Sequence, residues 1–474
     1  MSEGKSRLSM AMCVVAALAA GSAGCGDDDA NNGACTVGST TGCMGGLVCE
    51  QVTGGSPACF APVEIHGRVL DLATSTGIAG ATIVALDVNG GARSTVATSA
   101  ADGTYVLPVP VDRDAAGAPG HDSVTLRVDA SGYQTFPTAP RTALPIDLST
   151  AAPEAAGVRV VMNASTDIGL LGLPAGGGRG IIRGRVDFSE PGGVLVVATQ
   201  GTTAVSSAVS DTDGAFALFN VPAGDTTVDG YRSGIRVDPV MVTATSGEVG
   251  GVVLVGHGDG LGAVSGSVNV VNPGMGSTTS VILVVESTFV ATAARGEAPA
   301  GLRAAPVSGA FSIPDVPPGR YVVLAAFEND FLVRDPDTSI GGTTIQHVEV
   351  PAGGGPVMLA DSFKVTGSLD VVSPGAMGVE TISTMTPMFV WRDDSSEDGY
   401  ELRVFDAFGT MVKEDTMVPR VTGGTNVTYT WTGATLQAGM IYQFRALSYR
   451  DSGGSGRTYI SATEDLKGVF QYVP

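Results

Sequence analysis

Four short segments of this chain open in the same way, and that repeat restricts the fold more than any other feature. Residues 65–71 read IHGRVLD, 182–187 IRGRVD, 264–274 VSGSVNVVNPG and 365–375 VTGSLDVVSPG. Apolar and polar residues alternate around one glycine in each. A period of two describes a half-buried strand, and a glycine inside it marks a bulge or a close backbone approach. A second element follows in three copies, at residues 102–105 (DGTY), 213–216 (DGAF) and 308–311 (SGAF). Asp-Gly suits the positive φ angles of a type I′ hairpin turn. The aromatic two residues after the glycine then starts a strand and faces the core. The second and third copies continue with NVPAG (220–224) and DVPPG (315–319), where proline sets φ and glycine relieves the turn exit. A further strand follows each turn, as at residues 321–324. Its counterpart in the first copy is 124–129, followed by Gly132 and Tyr133.

Composition supports the same reading. With 67 glycines and 26 prolines in 474 residues, Val, Thr, Ile and aromatics occur in short bursts between turn formers. The predicted class is all-β: tandem β-sandwich modules after a signal peptide, a flexible tether and a small disulfide-rich module. The net charge is −21, and only Lys5, Lys364, Lys413 and Lys467 supply ammonium groups. Such a body repels phosphate backbones, which excludes nucleic acid as a partner, and it lacks a basic cluster for anionic lipid.

The N-terminus reads as an export signal. Lys5 and Arg7 precede an apolar run at 8–20, and small residues at 21–24 lead to Cys25. The run is too short to span a bilayer. A small-residue site ending in cysteine resembles the lipobox of bacterial lipoproteins. That resemblance implies a signal peptide over 1–24, lipid on Cys25, and a membrane as partner through that lipid. Residues 25–34 are polar and charged and form the expected tether. Gly26 lacks the acidic retention signal of some lipoproteins, which favours the outer membrane; the membrane face is left open. A plain secretory signal with an incidental cysteine is the alternative.

Cys35, Cys43, Cys49 and Cys59 lie in a C-x7-C-x5-C-x9-C pattern. An exported chain meets an oxidising compartment, so two disulfides are expected within a module at 35–61 too poor in apolar residues to fold by burial alone. Three pairings are open, of which Cys35–Cys49 with Cys43–Cys59 is favoured here. A zinc site is the alternative, although C-x2-C pairs are absent.

The order of G-x-V strand, G-A-x-V strand, D-G-x-Y/F hairpin, V-P-x-G turn and closing strand resembles the carboxypeptidase regulatory-like family. The likeness implies a small transthyretin-like β-sandwich at 62–163, repeated at 181–256 and 263–362. It imports no peptidase activity, since catalysis in those enzymes belongs to a separate zinc domain. Residues 364–474 resemble a fibronectin type III module. Trp391 fills its expected core, and Leu436, Gly439 and Tyr442 match the spacing of a tyrosine corner. Glycine-rich segments at 174–180 and 256–262 are flexible by composition and predict hinges between modules.

Catalytic patterns are missing. His66, His121, His257 and His347 form no metal-ligand spacing, and no G-x-S-x-G elbow occurs. The 256–262 run imitates a phosphate loop without a following helix. Acidic turns at Asp211 and Asp213, Asp335 and Asp337, and Asp393 and Asp394 offer oxygens suited to calcium, but structural turns are the simpler expectation. No catalytic, metal or cofactor residue is therefore assigned, and no cofactor is expected. The function expected is a non-enzymatic, lipid-anchored cell-envelope protein, a stalk or a surface for other envelope proteins. A surface adhesin for extracellular glycan or polymer is the second reading. A hydrolase using paired carboxylates is the third.

Overall fold

The computed structural model describes residues 35–474 except 139–140, 155–156, 175–177, 272–277, 292–294, 326–331, 335–344 and 452–455. Cys25, the signal, the tether, Asp335 and Asp337 lie outside the described residues. The chain is all-β, built from successive sandwiches behind a small disulfide-bonded module.

That first module is a two-stranded ribbon, Val48–Glu50 against Ala58–Phe60, with Cys49 opposite Cys59. Disulfides join Cys35 to Cys49 and Cys43 to Cys59, the pairing favoured from sequence. The sulfurs of Cys35, Cys43 and Cys59 lie within 4.8 Å of one another, but all are bonded in these disulfides. The ribbon is docked onto the first sandwich. Buried Glu50 pairs with buried Arg113 and accepts the Val111 N–H at 3.0 Å, while the Arg113 guanidinium lies 4.8 Å from the Phe60 ring centre.

The three repeated modules share one construction. The G-x-V strands are Val63–Asp71, Arg179–Asp187 and Gly262–Val271. Each pairs antiparallel with the strand from the D/S-G hairpin, Thr104–Val109, Ala215–Pro222 or Ala310–Val316. On the other edge each pairs in parallel with a returning strand that is broken or shifted near the motif glycine. The glycine faces the aromatic of the hairpin: Gly67 opposite Tyr105, Gly184 opposite Phe216, Gly266 opposite Phe311. A Cβ at Gly67 would lie 2.0 Å from the Thr166 carbonyl oxygen, and one at Gly184 would lie 2.5 Å from the Phe216 ring. Glycine is required because ring and returning backbone occupy the space of a side chain. Hydrogen bonds repeat as well. The N–H groups of Val69, Val186 and Val268 donate to the carbonyls of Gly103, Gly214 and Gly309 at 2.8, 2.8 and 2.9 Å.

The Asp-Gly turns differ from the type I′ expectation. Only Gly103 and Gly214 take positive φ, at 85° and 81°, and the preceding aspartates do not. The Gly103 N–H donates to Ala100 O and the Ala100 N–H to Thr104 O, with the same pattern at Asp211, Gly214 and Ala215. One left-handed glycine closing a longer loop meets the strand twist equally well.

Cores are aliphatic. Val63, Ile65, Ile83, Leu107, Leu126 and Ile146 centre the first sandwich, and Ile182, Val196, Leu218, Val228 and Leu254 the second. The second has no separate sheets: Ile235–Val237 links its layers into one eight-stranded sheet. The fourth G-x-L opening departs from the others. Phe363–Gly367 pairs in parallel with residues 268–271 and closes the third sandwich instead of opening the fourth. No D-G-x-F hairpin follows it, so it finds its partner upstream. Ile168–Leu170 likewise extends the first sandwich beyond residue 163.

The fourth sandwich sets a three-stranded sheet containing Met388–Arg392 against a larger one containing Gly399–Asp406 and Ile441–Asp451. Its core is aromatic. Phe389 stacks on Phe444 at 4.8 Å, and Trp391 meets Tyr400 edge-on at 5.6 Å. The Tyr442 hydroxyl accepts the Gln437 N–H at 2.9 Å, the tie-down predicted from the 436–442 spacing.

Candidate functional site: the joints between modules

One recurring pair of turn residues, Asn220 and Asp315, lies at the seams between modules. Ahead of each Val-Pro turn the chain takes a left-handed residue, Asn220 at φ 60° and Asp315 at φ 55°. Asparagine and aspartate tolerate this region better than most residues. Asn220 projects onto the first sandwich at the turn after its Ser123–Asp129 strand. Its Oδ1 accepts the Gly132 N–H at 2.7 Å, and its Nδ2 donates to the carbonyls of Ala130 and Tyr133 at 2.9 and 2.8 Å. Asp315 repeats the contact one module later. Its carbonyl accepts the N–H of Gly234, in the turn after Gly224–Arg232, at 2.9 Å. Gly132 and Gly234 are both left-handed, at 83° and 81°. The V-P turn of one module thus docks on the glycine turn of the module before it.

Arg127 ties three modules at once. It lies in Ser123–Asp129 of the first sandwich, buried, and its Nε donates to Asp129 at 2.9 Å. Its Nη2 donates to the carbonyl and hydroxyl oxygens of Ser207 in the second sandwich at 2.9 and 3.0 Å. Its Nη1 pairs with Glu297 of the third sandwich. A buried guanidinium needs such a complete shell, because removing any partner strands charge in a low dielectric.

Apolar seams run beside these polar ones. The strand Leu195–Gln200 is buried on both faces: Val196 and Ala198 face their own core, Leu195 and Val197 the third sandwich. Tyr231 crosses the same seam and meets Tyr321 edge-on at 6.0 Å. Beside it, burial pushes the Asp229 carboxyl up to about 6, against hydrogen bonds from the Gly230 N–H and the Tyr231 hydroxyl. The fourth sandwich returns to the first. Leu144 packs with Ala407, Ile441 and Val469, and Arg141 donates to the Phe408 carbonyl. At the 256–262 segment the expected hinge is replaced by a short connection: Glu248–His257 and Gly262–Val271 leave only residues 258–261 between paired strands, and buried contacts bridge the modules beside it; residues 175–177 of the other glycine-rich segment lie outside the described residues.

The other sequence candidates do not meet. His66, His121, His257 and His347 each face a separate carboxylate, Glu64, Asp147, Asp238 and Glu286. Asp211 caps its own turn through the N–H groups of Asp213 and Ala215. Asp393 accepts the Tyr400 hydroxyl, and Asp394 is bonded to Ser396 and Ser448. Desolvation, with Asp393 and Asp394 adding to it, raises the carboxyl of neighbouring Glu397. Among the described residues no helix is long and apolar enough to cross a membrane. Asn220 stood in the sequence as a turn residue and Arg127 as a strand residue; neither was read as a joint. Alternation over 124–128 is regular and puts Arg127 on the face away from Val124, Leu126 and Val128, so nothing local in the sequence sets it apart from an exposed strand arginine.

No protein-family model matches the chain, and no curated protein matches it in sequence. Among solved structures it is similar to the Bacillus anthracis TIE protein at 10% identity, covering 90% of this chain and 72% of that one, with a TM-score of 0.15. It is similar to the shaft pilin SpaA of Lactobacillus rhamnosus GG at 11% identity, covering 42% and 98%, TM-score 0.17. The major pilin subunit BcpA* of Bacillus cereus aligns at 10% identity over 63% and 99%, TM-score 0.18.

Proposed function

We propose that this chain is a non-enzymatic, lipid-anchored protein of the cell envelope, whose β-sandwiches form one preassembled body serving as a stalk or protein-binding surface. One observation carries the reading. Asn220, through its side chain, and Asp315, through its carbonyl, join neighbouring modules ahead of their Val-Pro turns, while every histidine is held by a different carboxylate. A repeated core that locks to its neighbours leaves function to exposed loops and surfaces. Lipid on Cys25 would tether this body through residues 25–34. Detergent-phase partitioning tests the anchor: Cys25→Ser should move the protein to the aqueous phase, and unchanged partitioning would remove the lipid from the proposal. Assays of the purified protein against peptides, esters and glycans should show no turnover. Hydrolysis abolished by one substitution would overturn the non-enzymatic part. The glycan-binding reading has less support, because none of the described Phe, Tyr or Trp side chains is exposed as a stacking platform.

A further inference from the structure

Methionine is distributed here in the reverse of its usual pattern. It is normally among the residues most often buried. Ten methionines lie in the described residues, and none belongs to the fully buried core. Met44, Met162, Met241, Met358, Met377, Met385, Met388, Met411 and Met417 are exposed, from 40% at Met411 to 92% at Met377. They occur on the disulfide module and on all four sandwiches, with five of them between residues 377 and 417. Only Met440 packs inward, against the core of the fourth sandwich and its seam with the first. The cores instead use Val, Ile, Leu, Phe, Tyr and Trp, and both tryptophans are buried. Every cysteine among the described residues is already in a disulfide, so no thiol there competes for oxidant.

We propose that the nine exposed methionines are oxidation sites through which the protein consumes two-electron oxidants of the peroxide class while keeping its fold. The thioether sulfur attacks one oxygen of hydrogen peroxide and the O–O bond breaks. Sulfur is oxidised by two electrons to the sulfoxide, and the departing oxygen takes up the remaining proton and leaves as water. One methionine consumes one peroxide. The sulfoxide is polar and would disrupt an apolar core, but at an exposed site it stays hydrated. The placement of sulfur outside the cores is what separates oxidation from unfolding.

The test is a peroxide titration of the purified protein, followed by peptide mass mapping and thermal unfolding. Each of the nine sites should gain about 16 Da at a rate within roughly threefold of N-acetylmethionine, with Met440 about tenfold slower. The unfolding midpoint of the oxidised protein should stay within about 2 °C of the untreated one. A variant with all nine changed to Leu should consume peroxide at least about fivefold more slowly and should fail to protect a peroxide-sensitive reporter enzyme mixed with it. Unfolding of the wild-type protein on oxidation of the nine, or Met440 reacting as fast as they do, would overturn the proposal. Equal peroxide consumption by the Leu variant would do the same. Should that variant not fold, the site-by-site rates and midpoint of the wild-type protein still decide.

Discussion

The first three sandwiches and the fourth solve the same problem with different materials. In the repeated three, aliphatic side chains fill the core and one aromatic ring lies over a glycine across the sheet, at Gly67, Gly184 and Gly266. In the fourth, Phe389, Trp391, Tyr400, Phe444 and Phe470 form a continuous aromatic cluster of stacked, tilted and edge-on rings. The seams differ as well. The repeated modules meet through hydrogen bonds at a left-handed residue and through buried Arg127, in addition to an apolar seam at Leu195, Val197 and Tyr231, whereas the fourth meets the first over an apolar patch around Leu144 and Ile441 with Arg141 as its polar contact. A polar seam demands one geometry, because every donor must find its acceptor. An apolar seam tolerates small shifts. The repeated modules are therefore expected to respond to damage together, and the fourth by itself.

The largest effect is expected inside the fourth core. Trp391→Ala should cost about 4 kcal/mol and unfold that module alone. Hydrogen exchange would show protection lost over 369–474 and kept in the first three sandwiches; loss everywhere would erase the contrast. Arg127→Ala comes next. It leaves Asp129 and Glu297 without their cation and should cost roughly 3 kcal/mol. Limited proteolysis should then open all three repeated modules together while the fourth stays resistant. Asn220→Ala removes three hydrogen bonds at one joint and strands a backbone donor and two acceptors. A loss of about 2 kcal/mol is expected, confined to the seam between first and second sandwiches.

Asp229 sharpens the comparison through pH. Its folded carboxyl is pushed up to about 6 by burial, above the 3.8 of an unburied aspartate. Between these values the folded state binds more protons than the unfolded state, so this group's contribution falls as pH rises through about 6 and is flat above. Asp229→Asn should raise stability at pH 7 by roughly 1–2 kcal/mol and flatten the pH dependence between 4 and 6. A steeper dependence in the variant would show that the seam is governed by another group. Tyr442→Phe is the smallest change: the hydroxyl that accepts the Gln437 N–H is lost, at about 1 kcal/mol, and only the fourth module should register it in thermal unfolding.

Much of the fold was legible in the chain because the relevant physics is local. Alternation around Gly67, Gly184 and Gly266 specifies strands, the following aromatics mark core positions, and the 436–442 spacing announces the Tyr442 tie-down. The disulfide module followed from four cysteines in 25 residues of an apolar-poor segment. Turn detail was less accessible: Asp102 and Asp213 suggested a type I′ turn, but the flanking hydrogen bonds select a longer loop with one left-handed glycine. The strand at 363–367 also resembles an opening, yet strand identity depends on which edge is free, and the third sandwich offered one.

The relation between modules was decided only in three dimensions. Glycine at 256–262 reports what the backbone can do, not what surrounds it, and the expected hinge gave way to buried contacts on either side. Arg127, Ser207 and Glu297 are separated by up to 170 residues in the chain, and no periodicity links them. Composition and pattern determined that this protein is a series of short-stranded sandwiches, because strand, turn and disulfide chemistry act over a few residues. Tertiary structure decided that the series is one interlocked body, because a buried charge or an unpaired amide is satisfied by whatever group the folded neighbours bring within hydrogen-bond distance.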